Sequence, residues 1–535
     1  MKRKVITVFS ALAFCVGSAY SQGMIDAYRY VQTETGGTAR FLGMGGAFGA
    51  LGGDISVLNV NPAGLAVYRS SEVVTTLSVN AAKANANWFG TTAEENKTKV
   101  NFDNIAYVGY FPTSRDEGLV SWNVGFSYNR LKNFTRNYTA HSIGGMDYSL
   151  SDYAAACANS VPEWTGDDLW ETSDYDPYAN PDVGDWMSIV AMNSGMIGYD
   201  RGQDVFGSQF VSNDGQGGYT PTAIDETVLN VSESGAIDQY TIAFGANISD
   251  YLLLGASVGI IDLNYNYISY YNEYFADGST LTLGTPDGGN GLSTDGTGYN
   301  FTLGAIVNPF SFLRFGVAYN SPTWYKMTDY YYVEGRTSMP EGTMTAHTPS
   351  NAYTKYEYRT PDKWTFSAAA IIGQTALISL DYELMNYRRA RMYDYYGSAN
   401  IYTNTDIETF FRNANTIRVG AEVKVTPQFS VRAGYSWTSS GMNNDLQDNN
   451  VSVATVGTIP NYTIDRGLSS YSVGIGYRFT PHFYVDLAYV LRNQKDDVYA
   501  FAPLFDEEGI PVVDSWGAEM KTKTTRVALT LGYKF

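Results

Sequence analysis

A chain of 535 residues with 35 Lys+Arg against 54 Asp+Glu carries a formal charge of −19, which excludes nucleic-acid binding through a basic face. Its mean hydropathy of −0.21, with no long apolar run after residue 21, excludes a spanning helix. A β-barrel stays open, because its membrane signal sits in every second residue.

Lys2, Arg3 and Lys4 followed by the apolar run Val5 to Val16 and by Ala19-Tyr20-Ser21 read as a signal peptide over 1–21, with a mature start at Gln22. Phe14 before Cys15 argues against a lipoprotein site. Removing the peptide leaves 32 basic residues against 54 acidic, a net charge of −22. Cys157 is then the one remaining cysteine, so no intramolecular disulfide forms.

Residues 22–69 read as a plug. From Thr38 to Tyr68 the chain is rich in glycine and alanine and ends in Asn61-Pro62-Ala63-Gly64. Such a run makes a poor strand and a weak helix. It suits a compact segment where backbone approaches backbone.

From Glu72 the period is two. Alternating runs begin near 72, 102, 119, 239, 251, 299, 313, 364, 377, 417, 429, 471, 483 and 524, which gives fourteen strands. An even number is the bacterial outer-membrane pattern. From the fourth strand on, short turns such as Ser249-Asp250, Asn308-Pro309, Thr426-Pro427 and Thr480-Pro481 alternate with connections of tens of residues. Loops sorted by parity fit a barrel with one short-turn rim and one long-loop rim. The predicted fold class is all-β: a 14-stranded antiparallel transmembrane β-barrel over 70–535, with an N-terminal hatch in its lumen.

A long insertion interrupts the pattern at about 132–235. From His141 to Gly235 it carries sixteen acidic residues and one basic residue, Arg201. It is placed on the outer side, with short helices at Tyr153 to Val161 and Val183 to Met196, and is read as a solvated surface. The last strand puts Val527, Leu529, Leu531, Tyr533 and Phe535 on one face. Its terminal aromatic resembles the signal read by barrel-insertion machinery.

Gly43-Met44-Gly45-Gly46-Ala47, then Asp54, then Asn61-Pro62-Ala63 before the first strand resemble the FadL family of outer-membrane hydrophobic-compound channels. The resemblance implies a hatch filling a fourteen-strand barrel in the outer membrane of a Gram-negative bacterium. It implies a monomer among lipid that passes a hydrophobic, long-chain fatty acid-like ligand by diffusion and releases it through a hatch shift or a wall opening. The acidic insertion departs from the apolar ligand-collecting loops of that family. Two alternatives share the fold: a barrel that shuttles exported proteins, as in type IX secretion, and a haem-binding receptor.

The expected gate residues are Gly43, Gly45, Gly46, Asp54, Asn61, Pro62 and Ala63, with Asn61-Pro62-Ala63 as the turn into the first strand. By parity Arg314, Arg418, Arg432, Arg478 and Arg526 face the lumen and are candidates for a ligand carboxylate. The bland reading pairs them with Asp381, Glu383, Glu422, Asp486 and the plug's Asp54. Inward Gly245, Gly304, Gly316, Gly420, Gly434 and Gly474 make room for the plug. His141, His347 and His482 lie far apart in sequence, and neither metal spacing nor a nucleophile motif is present, so no cofactor, metal or enzyme activity is expected.

Overall fold

The structure is a computed structural model that describes residues 23–180, 182–183, 185–213, 219–285, 289–373, 375–455, 458–506 and 508–535. The signal peptide expected over 1–21 lies outside the described residues.

The wall is a closed 14-strand antiparallel barrel. Its strands are β1 (Glu72–Trp88), β2 (Thr91–Pro112), β3 (Leu119–Asn133), β4 (Ile224–Ile248), β5 (Leu252–Phe275), β6 (Asn290–Phe310), β7 (Leu313–Asn320, resumed at Trp324–Tyr332), β8 (Tyr353–Arg359 and Lys363–Ile372), β9 (Ala376–Asn386), β10 (Asn413–Lys424), β11 (Phe429–Thr438), β12 (Tyr462–Arg478), β13 (Phe483–Tyr499) and β14 (Ala518–Lys534). Closure comes from β14 pairing with β1, in register from Glu72↔Lys534 to Asn87↔Glu519. No edge is left open to lipid, as a barrel requires.

Outward residues divide each wall strand into two zones. On β5, Leu254, Val258 and Ile260 are exposed apolar residues, and the outward positions above them are Asp262, Asn264 and Asn266. On β4 the band runs through Tyr240, Ile242 and Phe244, with Asp238 above it. Aromatic side chains mark both borders: Tyr299 stacks on Trp324 above (5.3 Å), and Phe310 on Phe312 below (5.5 Å). The apolar band spans about ten residues per strand, the length a tilted strand needs to cross a bilayer. Since β4 has 25 residues, its outer half stands clear of the membrane.

Inside the wall lie α1 (Met24–Val31), α2 (Ala39–Gly43) and two 3₁₀ helices, Ile55–Asn59 and Pro62–Val67. Most residues from 23 to 68 are buried. A β-carbon placed on Gly255 would fall on the Pro62–Ala63 backbone, and one on Gly420 or Gly434 on the Met44–Gly45 backbone. At Gly245 it would stand 3.0 Å from the Ala66 nitrogen. Glycine therefore thins the wall where the plug backbone touches it.

The insertion is folded, with a packed core beneath its acidic surface. An eight-residue strand, Arg136–Ile143, pairs with the outer half of β4, so the inserted part narrows to 144–223. It contains α3 (Leu150–Asn159), α4 (Gly166–Leu169) and α5 (Trp186–Asn193). Trp164, Leu169, Ile189, Val190 and Met196 form its buried apolar centre, and Cys157 is buried beside them. Glu163, Asp167, Glu171, Asp174 and Asp176 are on its surface. The acidic count thus hid a core of ordinary composition. Tyr153 stacks on Phe501 (5.6 Å) of the connection between β13 and β14, Trp186 packs on Tyr331 (5.4 Å) of β7, and Ser149 and Leu150 bond Glu273 of β5. Contacts on such separated strands make this segment a cap over the outer mouth.

Candidate functional site: the lumen

The plug is held first by its own turns. Thr38 accepts from the Phe41 N–H (3.2 Å) at the start of α2 and donates to Asp54 Oδ2 (2.7 Å). Asp54 Oδ1 accepts from the Ser56 N–H (3.0 Å) and caps the first 3₁₀ helix. Gly45 (φ 63°) and Gly46 (φ 77°) then turn the chain through the left-handed region that a β-carbon disfavours. Gly43 stays in the helix and lies against Gly474.

Asn61 ties the second half together. Its Nδ2 donates to Gly49 O (2.6 Å) and Ala305 O (3.3 Å), while its Oδ1 accepts from the Ala63 N–H (3.1 Å). Pro62 opens the 3₁₀ helix, where a missing N–H is harmless. Asn61-Pro62-Ala63 is therefore a helix start pressed on β5 and β6, not the turn into the first strand. Tyr68 to Ser71 make that connection.

Wall side chains grip the plug backbone. Asp381 accepts from the Phe48 (2.9 Å) and Gly49 (3.0 Å) N–H groups, and Thr530 from that of Ala39 (2.7 Å). Arg314 donates to Leu51 O (2.6 Å), Ser472 to Gly43 O (3.2 Å) and Ser257 to Leu58 O (3.1 Å). Plug Arg40 donates to Glu422 (2.9 Å), which also binds Arg432 (2.6 Å), and Arg432 reaches Asp486 (2.6 Å). Two guanidinium groups and two carboxylates neutralise one another where solvent is excluded.

Between the plug and the wall lies a cavity of about 220 Å³. Plug residues Tyr30, Glu34, Phe41 and Asn59 form one side, and Gln239, Asn300, Lys363, Glu383, Arg418, Ser436, Ser470, Arg492 and Arg526 belong to the wall side. Arg418 donates to Glu383 (3.1 Å) and Lys363 stands 3.5 Å from the same oxygen. Arg526 meets Glu34 at 3.2 Å, and Arg492 pairs with the same carboxylate.

The five arginines expected in the lumen thus part company. Arg418 and Arg526 line the cavity, Arg432 is spent in the buried cluster, and Arg314 holds plug backbone. Arg478 ends β12 at the short-turn rim and is exposed, so its placement in the lumen is corrected: parity gives the face of a strand but not its depth. Asp54 pairs within the plug and not with a lumen arginine. Sequence reasoning missed Glu34, Arg40, Lys363 and Arg492. Arg40 is a charge inside the small-residue run and Glu34 stands four residues before it, a signal that was legible; Lys363 falls one residue before the strand start assigned at 364, and Arg492 lies on the strand that starts at 483.

The cavity also reaches an interruption in the wall. β7 breaks at 321–323 and β8 at 360–362, on facing levels. There the two strands are joined by the Thr360 N–H donating to Thr323 O (3.0 Å) and the Thr323 N–H to Thr360 Oγ1 (2.8 Å). Pro322 and Pro361 bring no N–H to the ladder. Next door, β9 ends in the short 3₁₀ turn Tyr387–Arg389, and Arg389 bonds Asp362 (2.8 Å). Ser321, Thr323, Thr360 and Pro361 all line the cavity.

The family model described as outer membrane protein transport protein (OMPP1/FadL/TodX) matches residues 239–535. The chain belongs to this family. The match begins at β4, so the plug and the cap lie outside it. The FadL/TodX fold is seen again in a solved FadL homologue of Pseudomonas aeruginosa: 13% identity, 94% of this chain and 99% of that one covered, TM-score 0.53. The toluene transporter TodX of P. putida aligns with 12% identity over 94% and 99% of the two chains at a TM-score of 0.47. For the Ralstonia pickettii toluene transporter TbuX the figures are 12%, 94%, 99% and 0.45. No curated protein matches the sequence. Membership in an outer-membrane transport family agrees with the apolar band, and the chain is an outer-membrane barrel. The family is made up of transport channels rather than enzymes. His141, His347 and His482 sit on the strand Arg136–Ile143, at the end of the strand Gly342–His347 and in a rim turn respectively. Among the described residues no cluster of potential metal ligands occurs.

Proposed function

We propose that the protein is a passive outer-membrane channel for hydrophobic or amphipathic small molecules, with residues 23–69 acting as a hatch. The observation that carries this reading is the cavity between plug and wall, which also touches the weakly bonded break between β7 and β8. A solute held there has two ways out: past a displaced plug, or through the wall at the height where the apolar band ends. The family's transport role supports the class of cargo.

The test is accumulation of a radiolabelled fatty alcohol in vesicles carrying the purified protein, against vesicles carrying heat-unfolded protein. Faster accumulation that Asn61→Ala/Pro62→Ala alters supports a hatch-gated channel. Equal rates in both vesicle types overturn it.

A further inference from the structure

Just above the apolar band, the outer face of the wall changes sign around the barrel. Over β4, β5 and β6 the first outward charges are Asp238, Asp262 and Asp295, with Arg130 of β3 bonded to Asp238 (2.9 Å). Over β13, β14 and β1 the first outward charges are lysines. Two neighbouring rungs, taken from β13 to β2, read Asn493–Lys523–Lys83–Asn96 and Lys495–Lys521–Asn85–Glu94. The rung beneath them, Leu491–Thr525–Ala81–Thr98, joins them to Val527 and Val79 of the band.

The register sets Lys83 directly opposite Lys523, and Lys521 directly opposite Lys495. Like charges placed this way destabilise a sheet, and all four lysines are exposed. The acids of this stretch do not relieve them. Glu94 pairs with Lys83 (2.7 Å), Asp497 accepts from Arg466 of β12 (2.6 Å), and Glu519 stands opposite Asp497 one rung farther out. Among the described residues Lys495, Lys521 and Lys523 form no ion pair. Asp445 and Asp448 stand farther out still, in the loop between β11 and β12.

The order of these charges along the strands decides what they meet. The lysines are on the membrane side, with Asp497 and Glu519 beyond them, so a charge at the bilayer surface reaches the ammonium groups first. Lys523 lies four residues past Val527, about 14 Å along a tilted strand. From there a lysine stem lets its ammonium bend back toward the head-group layer.

We propose that this face docks the phosphate groups of an outer-leaflet lipid, held by Lys83, Lys495, Lys521 and Lys523. A phosphate between two opposed lysines turns their repulsion into two charge-assisted contacts. The inference rests on the barrel's place in the outer membrane and not on what the lumen carries.

Diphosphoryl lipid A, whose sugar pair carries a phosphate at either end, is the probe, and zwitterionic phosphatidylethanolamine the control. The full-length barrel in neutral detergent is titrated with each, and bound lipid is counted by native mass spectrometry. EDTA is present, so that no divalent cation bridges phosphate to Asp238, Asp262 or Asp295. Lipid A binds more tightly than phosphatidylethanolamine. Lys521→Gln/Lys523→Gln weakens it about twentyfold, at roughly fivefold for each lysine near a membrane surface. Lys521→Arg/Lys523→Arg keeps it. Lys326→Gln/Lys355→Gln, an equal loss of charge over β7 and β8, leaves it unchanged. Equal binding of the two lipids overturns the inference, as does equal weakening by both glutamine doubles. Displacement of lipid A by millimolar inorganic phosphate overturns it too, since the lysines would then hold a free anion and not a lipid.

Discussion

The plug and the cap both close the barrel, but they are built on opposite principles. The plug brings backbone against backbone: glycines thin the wall, and Asp381, Arg314, Ser472 and Thr530 bond peptide groups. Its charges are matched in the Arg40–Glu422–Arg432–Asp486 cluster. The cap packs side chains around an apolar centre and buries carboxylates with no cation beside them. Glu273 accepts from Tyr271 (2.5 Å), Leu150 N–H (2.9 Å) and Ser149, and burial pushes its carboxyl up to about 7. Asp185, at the start of α5, is pushed up to about 6 by burial. One closure is a lattice of directed bonds, the other a small domain core. They should fail under different treatments.

The largest effect is expected at the charge cluster. Arg432→Met strands Asp486 in a buried site, while Glu422 keeps Arg40, at a cost of about 3–5 kcal/mol. Urea titration of the folded barrel reads it, and an unchanged midpoint would show that the plug needs no charge matching. Next comes Gly255→Val, whose side chain has nowhere to go but the Pro62–Ala63 backbone. Overpacking of about 3 kcal/mol should free the plug to protease while the cap stays resistant.

The comparison sharpens with pH. Glu273 and Asp185 titrate higher in the folded cap than in an unfolded chain, so the folded state holds extra protons between about pH 4 and 7. Cap stability is therefore highest below that window and falls as pH rises through it. Protease resistance of 144–223 should drop from pH 5 to pH 8, and Glu273→Gln with Asp185→Asn should flatten the profile. A cap that loosens on acidification instead would refute the assignment. The smallest effect is expected at Asp54→Ala, which removes a helix cap worth about 1 kcal/mol, read as faster hydrogen exchange over 55–59.

These differences explain what could be read from the chain. Period-two alternation made all fourteen wall strands legible, because the lipid face imposes it on every strand. In the plug the legible sign was the density of glycine and alanine, which lets backbone meet the wall between the buried Phe41, Met44 and Phe48. The cap carried no such sign. Leu169, Ile189 and Val190 come from short, separate helices, and no periodicity joins them. That Arg418 and Arg492 line one cavity was equally hidden, for which residues of β10 to β13 stand level depends on register, set by turn lengths and bulges. Parity alone could not rank Arg478 below Arg418.

Cys157 turns one of these closures into its own gauge. It is the cysteine among the described residues, and it is buried in α3. A thiol reagent too large to penetrate the packed cap reacts when the cap opens, so the rate of labelling counts openings in a living cell. No dye need be engineered into the chain. If cargo binding loosens or tightens the lid, that clock will run faster or slower, while the plug below leaves it untouched.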